Sequence, residues 1–314
     1  MKSYYRIMLG QKSIHAKEAY AGNFIGTGWF KEIDLSDKLT ENWRDFNKEM
    51  IPVYLEGHPG KSKISAGLAC GFLWTVSKGI QSGDIVLCPN GEGNYYAGEI
   101  MGNYEYRKGE TLPHRRAVRW FDRIMKREEF SEALKNSTGS IGTVSNISKY
   151  AQEIETLLSG SCIASIISTD ETIEDASEFA LEKHLEDFLV ANWKSTELGK
   201  HYDIYEEDGE MVGKQYPSDT GPIDILAISK DKKEILVVEL KKGRVSDVVV
   251  GQVQRYMGYV KDELAEANQL VRGVIIGFED DIRIYRALSV AQNIDFYTYK
   301  IQFKLEKNNK TCKK

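Results

Sequence analysis

The chain has 314 residues, of which 41% are hydrophobic and 28% charged, with a formal net charge of −5 at pH 7. That length calls for about two domains with ample core in each, and no run of about 18 or more apolar residues offers a transmembrane helix. The acidic balance argues against a broadly basic nucleic-acid coat, although a local basic strip can hold phosphates while a metal site concentrates carboxylates.

The first 125 residues carry a small excess of Lys and Arg, and the remainder an excess of acid. The opening Met1-Lys-Ser-Tyr-Tyr-Arg-Ile is strand-like and unlike a signal peptide. Cys70, Cys88, Cys162 and Cys312 show no Cys-x-x-Cys or His pairing, and read as reduced thiols of a cytoplasmic protein without zinc.

Tyr4 to Leu9, Ile51 to Leu55, Asp84 to Cys88, Tyr95 to Gly102 and Ala117 to Phe121 read as strands separated by Gly-rich turns such as Asn90 to Gly93. Ile64 to Lys78 is the convincing helix of this half, with Ile64, Leu68, Phe72 and Val76 recurring four apart. Short strands around one or two helices suggest a compact, partly closed β-barrel with helical inserts. Gly57-His-Pro-Gly60-Lys61-Ser62 ends as a phosphate-binding loop does, but the slot five before Gly60 is Leu55, so no NTP is expected. Residues 60 to 63 instead read as a turn capping the following helix.

Aromatic residues are abundant here: Trp29, Phe30, Trp74, Tyr95, Tyr96, Tyr104, Tyr106 and Trp120. The stretches Gly-Asp-Ile-Val-Leu-Cys88, Tyr-Tyr-Ala-Gly-Glu-Ile100, Tyr-Glu-Tyr106 and His-Arg-Arg-Ala-Val-Arg-Trp120 resemble EVE/PUA-like domains, such as those attached to modification-dependent restriction enzymes. The resemblance implies an aromatic-walled pocket for a flipped, chemically modified base, which needs replacement stacking and edge hydrogen bonds. Asn23, Phe24, Trp29, Trp74 and Tyr95 are the pocket candidates, with Arg115 and Arg116 on phosphate. Most aromatics of a small barrel are core, which is the competing reading of each.

From Lys126 the pattern changes. Arg127 to Leu134 and Ile147 to Leu158 read as helices with a turn at Asn136 to Ser140, and Ser159 to Asp175 has the profile of a linker. The expected division is therefore 1–125 as reader domain, 126–175 as helical connector and linker, 176–305 as catalytic domain and 306–314 as a disordered tail.

The catalytic reading rests on Gly221-Pro-Ile-Asp224 and Val238-Glu-Leu-Lys241. A strand headed by Asp224 can pair with Ile235 to Leu240 through the turn Ser229 to Lys233. Alternation along a strand puts Glu239 and Lys241 on one face. Two carboxylates and an ammonium then converge, and carboxylate oxygens suit Mg²⁺ and its bound phosphates. A surface ion pair would have the same spacing, but a carboxylate interrupting the apolar run Ile-Leu-Val-Val-Glu-Leu needs compensation if buried. Leu181 to Val190 has helical periodicity and carries Glu182 and Glu186 one turn apart, either within reach of the site. Asp247 to Lys261 reads as a helix with Gln252 and Tyr256 on one face.

In this order the motifs resemble the NucS/EndoMS branch of the PD-(D/E)XK nuclease superfamily over roughly residues 175 to 303. The resemblance implies that Glu182, Asp224, Glu239, Lys241, Gln252 and Tyr256 line the active site, with Asp224, Glu239 and Glu182 at the metal. Its family spacing favours Glu182 over Glu186. The expectation is an α/β (α+β) two-domain protein, with a PUA/EVE-like β-barrel first and a restriction-endonuclease-like mixed sheet flanked by helices second. Such a protein would be a Mg²⁺-dependent DNA endonuclease, with Mn²⁺ as a substitute, restricting foreign DNA that carries modified cytosine. A mismatch- or structure-specific repair nuclease and a non-catalytic modified-base reader are the alternatives. Double-strand cleavage would favour a homodimer, and no membrane association is expected.

Overall fold

The computed structural model describes residues 2–139, 142–159, 185–241, 245–278 and 282–299. They form two compact units. The first holds the described residues up to 159 with Tyr205–Gly213 and Val260–Asn268; the second holds those of 185–204, Lys214–Tyr259 and 269–299.

The first unit is built on strands β1 (Tyr4–Ile7), β2 (Phe24–Thr27), β3 (Ile85–Pro89), β4 (Asn94–Tyr106), β5 (His114–Lys126) and β6 (Val144–Asn146). They lie in the order β2-β5-β4-β3-β1-β6, with β1 and β3 parallel and the other neighbours antiparallel. The sheet is open, since β2 and β6 form its two edges among the described residues, and the expected barrel is not found. Strand alternation sends Val86 and Cys88 into one core with Ile7, Ile25, Ile100 and Val118. Ile85 and Leu87 enter a second core with Tyr4, Tyr95 and Met125. The first core is completed by helix α1 (Ala16–Ala21) through Ala16 and Ala19.

A third core joins helices α2 (Trp43–Gly57) and α3 (Lys63–Trp74). Ile51 to Leu55, expected as a strand, is the end of α2. Phe46, Met50 and Tyr54 recur four apart on its buried face, and the Asn42 side chain accepts the Arg44 N–H at 2.9 Å to cap it. The local run Ile-Pro-Val-Tyr-Leu reads as extended only when this longer period is overlooked. Ser62 caps α3 by accepting the Ser65 N–H at 3.2 Å, as expected of the turn before it. Lys61 is bound to Glu207 at 2.5 Å and Asp208 at 2.6 Å.

Helices α4 (Glu132–Thr138) and α5 (Ala151–Leu158) follow. Phe130, Leu134, Ile147, Ile154 and Leu157 complete the second core, so the described part of the expected connector belongs to the first unit. Asn136 to Thr138, expected in a turn, closes α4. Of the linker expected at Ser159 to Asp175, only Ser159 lies within the described residues.

The second unit has residues 185–191 in helix (α6), then strands β7 (Tyr202–Ile204), β8 (Lys214–Ser218), β9 (Gly221–Ser229) and β10 (Glu234–Leu240). Helix α7 (Val248–Tyr259), strand β11 (Leu270–Gly277), helix α8 (Ile282–Leu288) and strand β12 (Ile294–Thr298) complete it. The order is β12-β11-β10-β9-β7, with β8 also on β9. The strands β10, β11 and β12 are parallel, and β9 is antiparallel to β10. This is the expected mixed sheet with helices. Gly273 lets α7 approach β11: a Cβ there would lie 2.6 Å from Val253 Cγ1 and 2.7 Å from Met257 Sδ. The expected tail at 306–314 is outside the described residues.

Candidate active site

The β9–β10 hairpin forms with the turn anticipated from sequence, and Ile235 pairs with Ile228 and Val238 with Ile225. That register sets Asp224 beside Glu239 at the hairpin's open end. Asp224 Oδ2 accepts the Leu240 backbone N–H at 2.8 Å, which fixes the carboxylate against β10. Glu239 is 2% exposed. Its Oε1 lies 3.2 Å from Lys241 Nζ, so the two side chains share one face. A carboxylate this deeply buried is tolerated only with strong compensation.

Two further groups come from α7. Gln252 Nε2 donates to the Tyr256 hydroxyl at 3.4 Å. Burial raises the Tyr256 hydroxyl above its usual range; the Gln252 hydrogen bond opposes this, and the charges of Glu239 and Asp224 add to it. Gly221 connects this helix to the Gly-Pro-Ile-Asp stretch. It adopts φ +130°, and a Cβ there would stand 3.1 Å from the Tyr256 hydroxyl oxygen. Glycine therefore serves both the backbone conformation and the close approach. Asp224, Glu239, Lys241, Gln252 and Tyr256 are thus brought together.

Glu182 lies outside the described residues. Glu186, one turn later and only 7% exposed, is at the site. Gln215 on β8 donates from Nε2 to Glu186 Oε2 at 2.9 Å and to Asp224 Oδ1 at 3.0 Å. Lys214 Nζ lies 3.5 Å from Glu186 Oε1 and also binds Asp187. Burial lowers the Lys214 pKa, but the Asp187 hydrogen bond and the Glu186 and Asp187 charges outweigh it, and the net shift is upward. Sequence reasoning passed over Lys214 and Gln215. No motif marks them; only their position opposite Asp224, with Lys214 paired to Ile225 and Tyr216 to Ile223, singles them out.

Electrostatically the site is short of positive charge. The Asp224 carboxyl is pushed up to about 6 by burial, and the Glu186 charge adds to the rise. The Leu240 N–H, the Lys241 ammonium and the Gln215 amide pull the other way without restoring the ordinary value. A group so perturbed in a cluster of like charge is a functional-site signature. Among the described residues no group of three or more His, Cys, Asp or Glu is close enough to hold a metal ion. Asp224 and Glu239 alone nonetheless fit Mg²⁺, which needs one or two carboxylates and otherwise keeps waters and takes substrate phosphate.

The seven candidates of the first unit are not gathered. Phe24 packs in the first core, Tyr95 in the second, and Trp29 and Trp74 against the third. Asn23 is exposed and its carbonyl accepts the Val118 N–H at 2.9 Å. The Tyr95 hydroxyl donates to the Thr138 carbonyl at 3.3 Å and accepts from Arg127 at 3.0 Å. Trp74 Nε1 donates to the Thr40 carbonyl at 3.0 Å. Arg115 lies over the Phe24 ring at 3.7 Å, donates to the Leu112 carbonyl and pairs with Glu110 at 2.7 Å. Arg116 is buried and donates to the carbonyls of Gly102 and Ile80, each at 2.7 Å. Both guanidinium groups are engaged by protein acceptors, and the aromatics fill three separate cores.

Residues 5–148 match a family model described as a domain of unknown function, DUF8426. No EVE or PUA description attaches to that match. Residues 191–313 match the model described as the Endonuclease NucS C-terminal domain. The curated Endonuclease NucS of Methanocaldococcus jannaschii is 30% identical over 97 residues, which is 29% of this chain and 36% of that protein. The match thus spans little more than a third of the relative's length. Among solved structures, an EndoMS–dsDNA complex is 13% identical with a TM-score of 0.32, covering 67% of this chain and 63% of the other. A repair endonuclease from Pyrococcus abyssi is 15% identical with a TM-score of 0.31, covering 68% and 66%. The MspJI restriction endonuclease with a 27-mer oligonucleotide is 11% identical with a TM-score of 0.24, covering 79% and 62%. From residue 191 onward the chain is similar to the C-terminal domain of NucS endonucleases.

Proposed function

We propose that the protein is a divalent-cation-dependent DNA endonuclease that hydrolyses phosphodiester bonds. The observation that carries this reading is the convergence of Asp224, Glu239 and Lys241 at the end of the β9–β10 hairpin, with Lys241 Nζ 3.2 Å from Glu239. Asp224 and Glu239 would hold Mg²⁺ or Mn²⁺, which supplies Lewis-acid polarisation of the phosphate and a more acidic water. Lys241 orients the attacking water beside Glu239. As the water oxygen bonds to phosphorus it gives up a proton to solvent, the ester P–O bond breaks, and the leaving oxygen takes a proton from solvent. Gln252 and Tyr256 steady the scissile phosphate or the carboxylates from α7. No NTP is needed for this chemistry.

For the biological target we propose restriction of foreign DNA bearing modified cytosine. Support for it is the resemblance in sequence of the stretches ending at Cys88, Ile100, Tyr106 and Trp120 to EVE/PUA-like domains, since Phe24, Trp29, Trp74 and Tyr95 pack into three cores. Mismatch- or structure-specific repair is the second reading, favoured by the match of residues 191–313 to the NucS C-terminal model. The test is Mg²⁺-dependent cleavage of matched DNAs that are unmodified, 5-methylated, 5-hydroxymethylated, glucosylated or mismatched, with Glu239→Ala alongside. Cutting confined to a modified DNA and lost in the variant establishes restriction; cutting confined to mismatches establishes repair. No cutting of any substrate in Mg²⁺ or Mn²⁺ overturns the nuclease reading. Cleavage rate against protein concentration reports whether a homodimer cuts both strands.

A further inference from the structure

Side chains on successive residues of a strand point to opposite faces. Lys214 and Gln215 break this rule, because both reach the same carboxylate, Glu186. The cause lies in the backbone: Gln215 has φ +52°, in the left-handed region that a residue with a Cβ seldom adopts. Such a conformation persists only where its surroundings enforce it, and it concentrates at functional sites.

A single nitrogen, Gln215 Nε2, donates to Glu186 Oε2 at 2.9 Å and to Asp224 Oδ1 at 3.0 Å. An amide nitrogen has two N–H groups, and both are used. Asp224 is then held on both oxygens, by Gln215 at Oδ1 and by the Leu240 N–H at Oδ2. A carboxylate oxygen has two lone pairs, so one such hydrogen bond to each does not exhaust its capacity as a ligand. Without the amide, the buried Glu186 and the half-buried Asp224 would repel with nothing between them.

We propose that Gln215 is a positioning residue of the cation site, tethering Glu186 to Asp224 so that Asp224 presents a fixed pair of oxygens to the metal. The assignment rests on the nuclease reading above and adds to it a residue on β8 that no motif marks. Groups that orient metal ligands typically contribute about 10–100-fold to metal affinity. Gln215 acts through Asp224 and need not touch DNA.

The experiment is Mn²⁺ binding to the full chain by titration calorimetry, with no DNA present. It compares the parent protein with Glu239→Ala, Gln215→Leu and Gln215→Gly. Gln215→Leu keeps the side-chain bulk and removes both donors; Gln215→Gly removes them while relaxing the left-handed backbone. Both are expected to weaken Mn²⁺ binding by about tenfold or more. In DNA cleavage both should lower kcat at subsaturating metal, with KM for DNA unchanged. Excess Mn²⁺ should recover much of the loss. Either variant binding Mn²⁺ within about twofold of the parent, which itself loses binding through Glu239→Ala, overturns the role of Gln215 and leaves the nuclease reading intact. A parent that binds no Mn²⁺ overturns both. If Gln215→Leu fails to fold, Gln215→Gly decides the question alone.

Discussion

Arg115 and Arg116 of the first unit and Asp224 of the second are compensated in opposite ways. Arg116 donates to backbone carbonyls that need a donor, and Arg115 is shared between carbonyls, Glu110 and the Phe24 ring. Their charges are spent on holding β5 to its neighbours. Asp224 instead shares its surroundings with Glu186 and is raised to about 6. A charge satisfied by the fold reads as structure. One left under-compensated beside a like charge reads as a site awaiting a cation.

The largest expected effect breaks or confirms this contrast directly. Asp224→Ala or Glu239→Ala should lower Mg²⁺-dependent cleavage on the order of 10³-fold or more, because a lost metal ligand removes several kcal/mol of transition-state stabilisation. Thermal melting should show both variants folded; residual activity near the parent's would sink the assignment.

Next in size, Arg116→Ala should destabilise the first unit by about 2 kcal/mol through loss of its two short bonds to carbonyls. The melting temperature reports this. If Arg116 instead held phosphate, DNA affinity would fall with no change in melting. Tyr256→Phe removes the acceptor of the Gln252 amide at 3.4 Å and should cost about 1 kcal/mol, or roughly fivefold in kcat, with melting unchanged. An unaltered kcat would remove Tyr256 from the site.

A different kind of effect is on the pH dependence of stability. Burial, with the Glu186 charge adding, raises the Asp224 carboxyl to about 6 in the folded chain, against an ordinary value of about 4 for an unfolded one. The unfolded chain therefore binds fewer protons between these values, and stability falls as pH rises through that window. Asp224→Asn removes this loss. The melting temperature of the variant relative to the parent should rise by a few degrees between pH 4 and pH 8. A flat difference across that range would contradict the raised carboxyl.

Local pattern was sufficient for part of this protein. Alternation along Val238 to Lys241 placed Glu239 and Lys241 on one face, and helical spacing joined Gln252 to Tyr256. The turn Ser229 to Lys233 implied the hairpin that carries Asp224 to Glu239. Each of these depends only on the periods of strand and helix, which are properties of short segments. The short segment misled at Ile51 to Leu55, where β-like composition was overridden by the buried stripe Phe46, Met50 and Tyr54. It was also insufficient for the aromatics of the first unit, because composition cannot assign Phe24, Tyr95 and Trp74 to three different cores.

The sequence by itself thus determined the hairpin, its carboxylates and its lysine, since their relation is set by distance along one strand pair. The helix carrying Glu186 was legible too, but only tertiary structure decided that Gln215 comes in from β8 to join Glu186 to Asp224. That meeting depends on β8 lying antiparallel to β9 and on a left-handed turn of backbone at Gln215, neither of which local sequence periodicity encodes.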